Sequence, residues 1–318
     1  MSRILESVKK VVPLSRDVSL DQERIIECAN QFYHGSAKHW LSAAPFQFHH
    51  FSDEQKLTFL FVFNSLSFCY WGEPKWTINH ENKMLDGSWG MIAALGRAFN
   101  KGVPILNFEY CSRATRTEVA SLLEGNVEIP LLEQRTNILN EVGRVMIKKY
   151  QGRIQRLIED GAKDAMKLLE IIVRDFSSFY DASEYKGIPV FFHKRAQLFV
   201  SDVYQMFNGV GFGDLRNVDQ LTACADYKLP QILRKLGMMK YSAALEEKID
   251  HHVEIIRGSS EEIEIRSLTI WAVELLRREI SKKRPDILSM EINDHLWLLT
   301  QEKFLDDKPY HRTRTQAY

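Results

Sequence analysis

The chain has 318 residues, 45% of them hydrophobic, enough to bury one large core or two lobes around a cleft. Its 42 basic and 42 acidic side chains cancel, which argues against a protein that lives on DNA, RNA or a membrane surface, since such binders carry a basic excess. A small ligand with one phosphate stays compatible with that balance.

Residues 1–45 read as a polar, mixed helical lead-in, with a helix predicted over Val18–Ala29 and Trp40 docked on the main body. Met1 to Lys10 has no continuous apolar run of the kind a secretory signal needs. The most hydrophobic stretch, Leu57 to Trp71, is interrupted by Thr58, Asn64, Ser65 and Ser67, and it is shorter than the ~20 apolar residues of a membrane helix. The scattered cysteines Cys28, Cys69, Cys111 and Cys224 show no CxxC spacing and suit reduced, buried thiols. A soluble, cytoplasmic protein is the expectation.

Ser52-Asp53-Glu54-Gln55 fits a capping box that opens a helix bearing Leu57, Leu60, Phe61, Asn64 and Phe68 on one face. Asn64 is the polar member of that stripe; it either finds several partners in the core or faces a ligand. An aromatic-rich loop follows, with Trp71, Pro74, Trp76 and Gly87. Its rings serve either the core or stacking on a planar base. The pattern then predicts a buried helix over Trp89–Phe99 and a second capping box at Thr115–Glu118. Amphipathic helices follow over Leu131–Tyr150 and Ala162–Phe176.

Ile188–Phe192 reads as a short strand or hairpin arm, leading into a helix over Lys194–Phe207. Asp202 stands among that helix's apolar residues, where an unpaired carboxylate is costly; it pairs structurally or it serves a site. Gly209–Gly213 lacks the Gly-Lys-Ser/Thr of a phosphate loop and reads as a connector. The segment Leu221–Tyr241 is the densest in chemistry. Pro230 suits a first helical turn, Ile232, Leu233 and Leu236 form one face, and Gly237 suits a left-handed stop. A second helix starting near Ser242 makes this a helix–hairpin–helix unit. Asp226 sits on the turn before it, either capping backbone N–H groups or facing a cleft. A further helix is expected over Ile265–Ile280, and the polar ending carries His311, Arg312 and Arg314.

No HExxH, GxSxG or GxGxxG pattern occurs, so a zinc hydrolase, an α/β-type serine hydrolase and a dinucleotide enzyme are unsupported. Neither metal nor cofactor is expected. What remains is carboxylates, one or two amines and many aromatic rings.

Several segments together resemble the queuosine salvage protein family, the queuosine 5′-phosphate N-glycosylases/hydrolases. They are FVFNSLSFCYWG (Phe61–Gly72), GSWGMIAALGRAFNKGVPI (Gly87–Ile105), PLLEQRTNILNEVG (Pro130–Gly143) and FFHKRAQLFVSDVY (Phe191–Tyr204). ADYKLPQILRKLGMMKYS (Ala225–Ser242), EIEIRSLTIWAVE (Glu262–Glu274) and the ending PYHRTRTQAY complete the set. Asn64 and Ser67 stand where many members are expected to carry Asp and Asn. The resemblance implies a mainly α fold, similar to helix–hairpin–helix DNA glycosylases with a few short strands, as one two-lobed domain over residues 1–318. It implies a monomer that releases queuine from queuosine 5′-monophosphate, with no stable nucleic-acid complex and no membrane.

By the same resemblance Asp226 is the catalytic acid, with Asp202 assisting the leaving base or holding Lys194. Lys194 either reaches the 5′-phosphate or pairs with one of the two acids. Phe68, Trp71, Trp89 and Tyr110 are candidates to flank the base, Tyr227 and Tyr241 to touch sugar or phosphate. The basic ending is expected to dock on the body. A competing reading is a non-enzymatic helical module binding tRNA or a protein.

Overall fold

The computed structural model describes residues 2–32, 39–302 and 307–318, and among these the chain forms fourteen α-helices and three two-stranded antiparallel sheets. In chain order the helices are α1 Arg3–Val11, α2 Gln22–Phe32, α3 Asp53–Leu66, α4 Gly87–Asn100, α5 Phe108–Arg113, α6 Arg116–Leu122 and α7 Leu132–Tyr150. The rest are α8 Ile154–Asp160, α9 Ala165–Asp175, α10 Lys194–Met206, α11 Lys228–Lys235, α12 Ala243–Asp250, α13 Ser260–Ser281 and α14 Ser289–Leu299. Strands β1 Val18–Leu20 and β6 Met239–Tyr241 pair, as do β2 Thr77–His80 with β3 Lys83–Asp86, and β4 Ala182–Tyr185 with β5 Ile188–Phe191. No helix among the described residues is long and apolar enough to cross a membrane.

Both capping boxes form: Ser52 with Gln55 at the start of α3, and Thr115 with Glu118 at the start of α6. Helix α3 is buried from Leu57 to Leu66, the only exposed residues lying in its first turn, so it runs through the core instead of along its edge. Helix α5 lies so close to α7 that a Cβ on Gly143 would come within 2.2 Å of the Ser112 backbone nitrogen. Gly237 takes the left-handed φ of +78° that ends α11.

Two expectations need correction. The stretch predicted as a helix from Val18 begins instead as β1, which pairs with β6, and α2 starts only at Gln22. Val18–Leu20 is β-branched at its head and finds the open edge of Met239–Tyr241, so tertiary pairing overrides the local pattern. The aromatic loop after Gly72 contains the β2–β3 hairpin, with Glu81 and Asn82 both at positive φ in its two-residue turn.

The N-terminal segment is held to α13 by one carboxylate. Glu264 accepts hydrogen bonds from Ser15 Oγ (2.7 Å), Tyr185 Oη (2.6 Å) and the backbone N–H groups of Arg16, Asp17 and Val18 (2.9, 2.7 and 3.2 Å). Burial pushes this carboxyl up, but the donors from Tyr185, Ser15 and the Asp17 and Arg16 backbone outweigh it, and the net shift is below the ordinary 4.5. A depressed folded-state value adds stability above the unfolded value, and that stability is lost as pH falls through the folded one. Glu264→Gln is therefore expected to lower the melting temperature at pH 7. The gap from the parent should narrow as pH drops below about 4.5; a gap constant between pH 7 and 3 in thermal melts would contradict this.

Candidate active site

Helices α4, α10, α11 and α14, the turn after α3 and the segment Thr222–Tyr227 converge on two adjoining chambers. The first, about 330 Å³ counting space open to solvent, is walled by Trp40, Trp297, Leu198, Leu229, Cys224, Asn293 and Asp294. The second, about 450 Å³ on the same measure, presents Lys75, paired with Asp86 at 2.8 Å, and Lys228 with Ser67, Tyr70, Tyr227 and Gln301. Four residues line both: Ser88, Lys194, Asp226 and Trp297. One chamber thus carries an aromatic lining with two carboxylates and the Lys194 amine, the other three amines and several hydroxyls with the Asp86 and Asp226 carboxylates.

Asp226 stands at the junction because of a short turn. Its Oδ1 accepts from Lys228 N (2.7 Å) and Leu229 N (3.2 Å), which caps the start of α11 and leaves the second carboxylate oxygen for the cleft. Capping and facing a cleft, posed above as alternatives, coexist in this residue. Lys194 is the first residue of α10 and is buried. No hydrogen bond or ion pair joins its Nζ to a protein group among the described residues. Pairing of Lys194 with Asp202 or Asp226 is therefore absent there.

A buried ion triad, Arg266 with Asp181 and with Glu262 at 3.4 Å, stands behind both residues. Arg266 of α13 makes a bidentate contact with Asp181 (2.9 and 2.6 Å) and donates from Nε to the carbonyl of Ala225 (3.1 Å), the residue before Asp226. Asp181 in turn accepts from Lys194 N (3.3 Å). The guanidinium lies 3.9 Å from the Phe192 ring centroid and 4.2 Å from that of Tyr318. Burial alone would raise the Asp181 carboxyl, but Arg266 beside it brings it below the ordinary 3.8.

Two more buried arginines shape the turn after α3. Arg135 donates to the carbonyls of Leu66, Phe68 and Cys69, and Arg195 to those of Ser65 and Ser178. Burial pulls both guanidinium groups down to about 10. Phe68 lies under both cations, 4.2 and 5.1 Å from their centres, and lines the second chamber.

Asp202 is fully buried behind the first chamber. It accepts from Trp40 Nε1 (2.8 Å) and Asn64 Nδ2 (2.9 Å), with His39 Nε2 at 3.7 Å. Asn64 also donates to the Leu60 carbonyl (3.0 Å), and its Oδ1 has no hydrogen-bond partner. Trp89 packs against Trp40 and Trp297 at centroid distances of 5.4 and 4.9 Å. Tyr227 lines the second chamber and packs against Tyr310, centroids 4.7 Å apart and rings tilted by 36°.

Three other sequence candidates lie elsewhere. Trp71 donates to the Thr313 carbonyl (3.2 Å) and packs beneath Arg314. Tyr110 borders a separate surface cleft with Arg97 and Glu118. Tyr241 belongs to β6 and lies 5.4 Å from the Arg234 guanidinium. The ending is docked, its Arg312 and Arg314 meeting Glu73 and Glu254.

Sequence reasoning passed over Asp294, Trp297, Ser88, Lys75 and Lys228, and gave Trp40 only a packing role. Asp294 and Trp297 share a face of α14 at a spacing of three, a signal available in the sequence. Burial pushes the Asp294 carboxyl up to about 7; His39 pulls against that shift and Asp202 adds to it. Among the described residues no three His, Cys, Asp or Glu side chains are grouped to share a metal ion.

The queuosine 5′-phosphate N-glycosylase/hydrolase of Sphaerobacter thermophilus is 37% identical, the match covering 99% of this chain and 97% of the relative. The protein of that description from Mus musculus is 33% identical over 98% of each chain. That of Schizosaccharomyces pombe is 29% identical over 95% of this chain and 92% of the relative. The model of the family described as queuosine salvage protein matches residues 48–318, and the chain belongs to that family.

Proposed function

We propose that the chain hydrolyses the N-glycosidic bond of queuosine 5′-monophosphate, releasing queuine and ribose 5-phosphate, as a cytoplasmic monomer on a helix–hairpin–helix glycosylase-like fold. The observation that carries this reading is the pair of joined chambers of unlike lining with Asp226 and Lys194 at their junction. A nucleotide laid across them puts its phosphate among Lys75, Lys194 and Lys228, near the N-terminus of α4. Its base enters the aromatic chamber, and its ribose C1′ meets Asp226.

Cleavage of the bond from C1′ to the base builds positive charge on the sugar. The free oxygen of Asp226 stabilises that charge, orients the attacking water on the far side of the ring from the base and takes its proton as the C1′–O bond forms, while the base leaves with the electron pair of the broken bond and gains a proton from solvent. Queuine is a 7-deazapurine with no N7 to protonate, so leaving-group assistance comes from hydrogen bonds at its other edges. Asp202 acts through Trp40 and Asn64, which it orients, and Lys194 serves as a point charge for the phosphate.

The test is direct. Queuosine 5′-monophosphate, the nucleoside and queuosine-containing tRNA are each incubated with the protein in EDTA, and free queuine is measured by chromatography. Release from the monophosphate is the expected result. If all three stay intact while the protein binds a macromolecular partner, the helical binding module replaces the enzyme.

A further inference from the structure

A third cavity shares no residue with the two chambers. It is a cleft of about 670 Å³, counting space open to solvent, between the start of α1, the C-terminal part of α13 and the start of α14. Glu274 of α13 is buried in its wall and holds two arginines. Arg277 donates to it from Nε (2.8 Å) and Nη2 (3.1 Å), and Arg278 from Nε (2.7 Å). These contacts occupy the carboxylate and leave Nη1 of Arg277 and both Nη atoms of Arg278 without an acceptor among the described residues.

Ser289 opens α14 and lines the same cleft. It is only 5% exposed, yet its hydroxyl has no hydrogen-bond partner among the described residues. Leu288 before it supplies no side-chain cap to the first turn of the helix. Ser2, the N-cap of α1, also lines the cleft; its Oγ accepts from Leu5 N (3.4 Å), which leaves its O–H to donate. The charges of Arg277 and Arg278 are balanced by Glu274 and Asp219 in the lining. The positive surplus comes from the two helix starts, each equivalent to roughly half a charge.

We infer that this cleft is a binding site for phosphate, free or as a monoester of a small polyol. A buried hydroxyl without a partner, beside unused guanidinium edges and an uncapped helix start, is the chemistry that receives an oxyanion. Asp219 and Gln220 in the lining offer polar groups to the hydroxyls of an ester.

The test is calorimetric titration at pH 7 and low ionic strength with inorganic phosphate and with glycerol 3-phosphate. The parent should bind inorganic phosphate with a Kd on the order of 1 mM. Arg278→Gln should weaken binding by ~10-fold or more, while Arg277 stays on Glu274 and keeps that carboxylate paired. Ser289→Asp places a carboxylate in the first turn of α14, which suits the helix dipole but repels the ligand. Its melting temperature should hold or rise as phosphate binding disappears. Any phosphate held in the chambers drops out with Lys194→Met, which should leave the share of the cleft intact. Tighter binding of glycerol 3-phosphate than of inorganic phosphate would assign the site to a monoester, weaker binding to the free anion. No binding by the parent, loss of all binding in Lys194→Met, or parental affinity in Arg278→Gln and Ser289→Asp would each overturn the inference.

Discussion

Asp226→Asn is expected to lower the rate of queuine release by about 10²–10³-fold with almost no change in melting temperature. The separation of effects comes from the two jobs of this side chain. One oxygen caps α11 through Lys228 N and Leu229 N, and asparagine caps about as well as aspartate. The other faces the chamber junction, where only a full negative charge opposes the oxocarbenium charge on C1′. Asp226→Ala should lose the same catalysis and also about 1 kcal/mol of cap stability. Chromatographic assay of both variants, with thermal melts beside it, checks the pair. Asp226→Asn retaining parental kcat would remove this residue from the chemistry and direct attention to another group at the junction.

Arg266→Met should destabilise the protein by about 3–5 kcal/mol, since it leaves the Asp181 carboxylate buried without its counter-ion. The variant also loses the donor to Ala225 O and the packing against Phe192 and Tyr318. The double variant Arg266→Met/Asp181→Leu removes that pair but leaves Glu262, 3.4 Å from the Arg266 guanidinium and fully buried, without its cation, so only part of the lost stability should return. Activity should not return with it. Ala225 O is still without its donor and Lys194 N without its acceptor, so the two residues at the chamber junction are no longer held. Denaturant melts and single-turnover rates on the three proteins make the comparison. A double variant that recovers full rate would mean that Asp226 and Lys194 are placed by other contacts.

The parts of this molecule legible in its sequence are those whose chemistry is local. Ser52 and Gln55 are three residues apart and make a capping box wherever they stand; Lys194–Met206 carries a helical pattern end to end; Pro230 and Gly237 bracket α11 through their own backbone preferences. Asp226 was within reach for the same reason, since its cap is to residues two and three positions on. The base chamber was not. Trp40, Asp202, Asp294 and Trp297 come from segments separated by up to 257 positions, and only packing brings them together. The β2–β3 hairpin was hidden for another reason. Glu81-Asn82 turns the chain with two left-handed residues, where Asn-Gly is the pair that would advertise such a turn. Tyr110 and Tyr241 illustrate the converse: residue type made them attractive, while their helix and strand carry them to other surfaces.

The division of the cleft into two rooms bears on what happens once the bond is broken. With the nucleotide laid across the chambers as proposed, the sugar phosphate and the free base would then occupy separate compartments that share Ser88, Lys194, Asp226 and Trp297. Departure can follow either order, and whichever product lingers blocks only its own half of the next substrate. Turnover in such a site is governed by the stickier half, so its throughput is set by the tighter of two separate grips and not by the grip on the intact nucleotide.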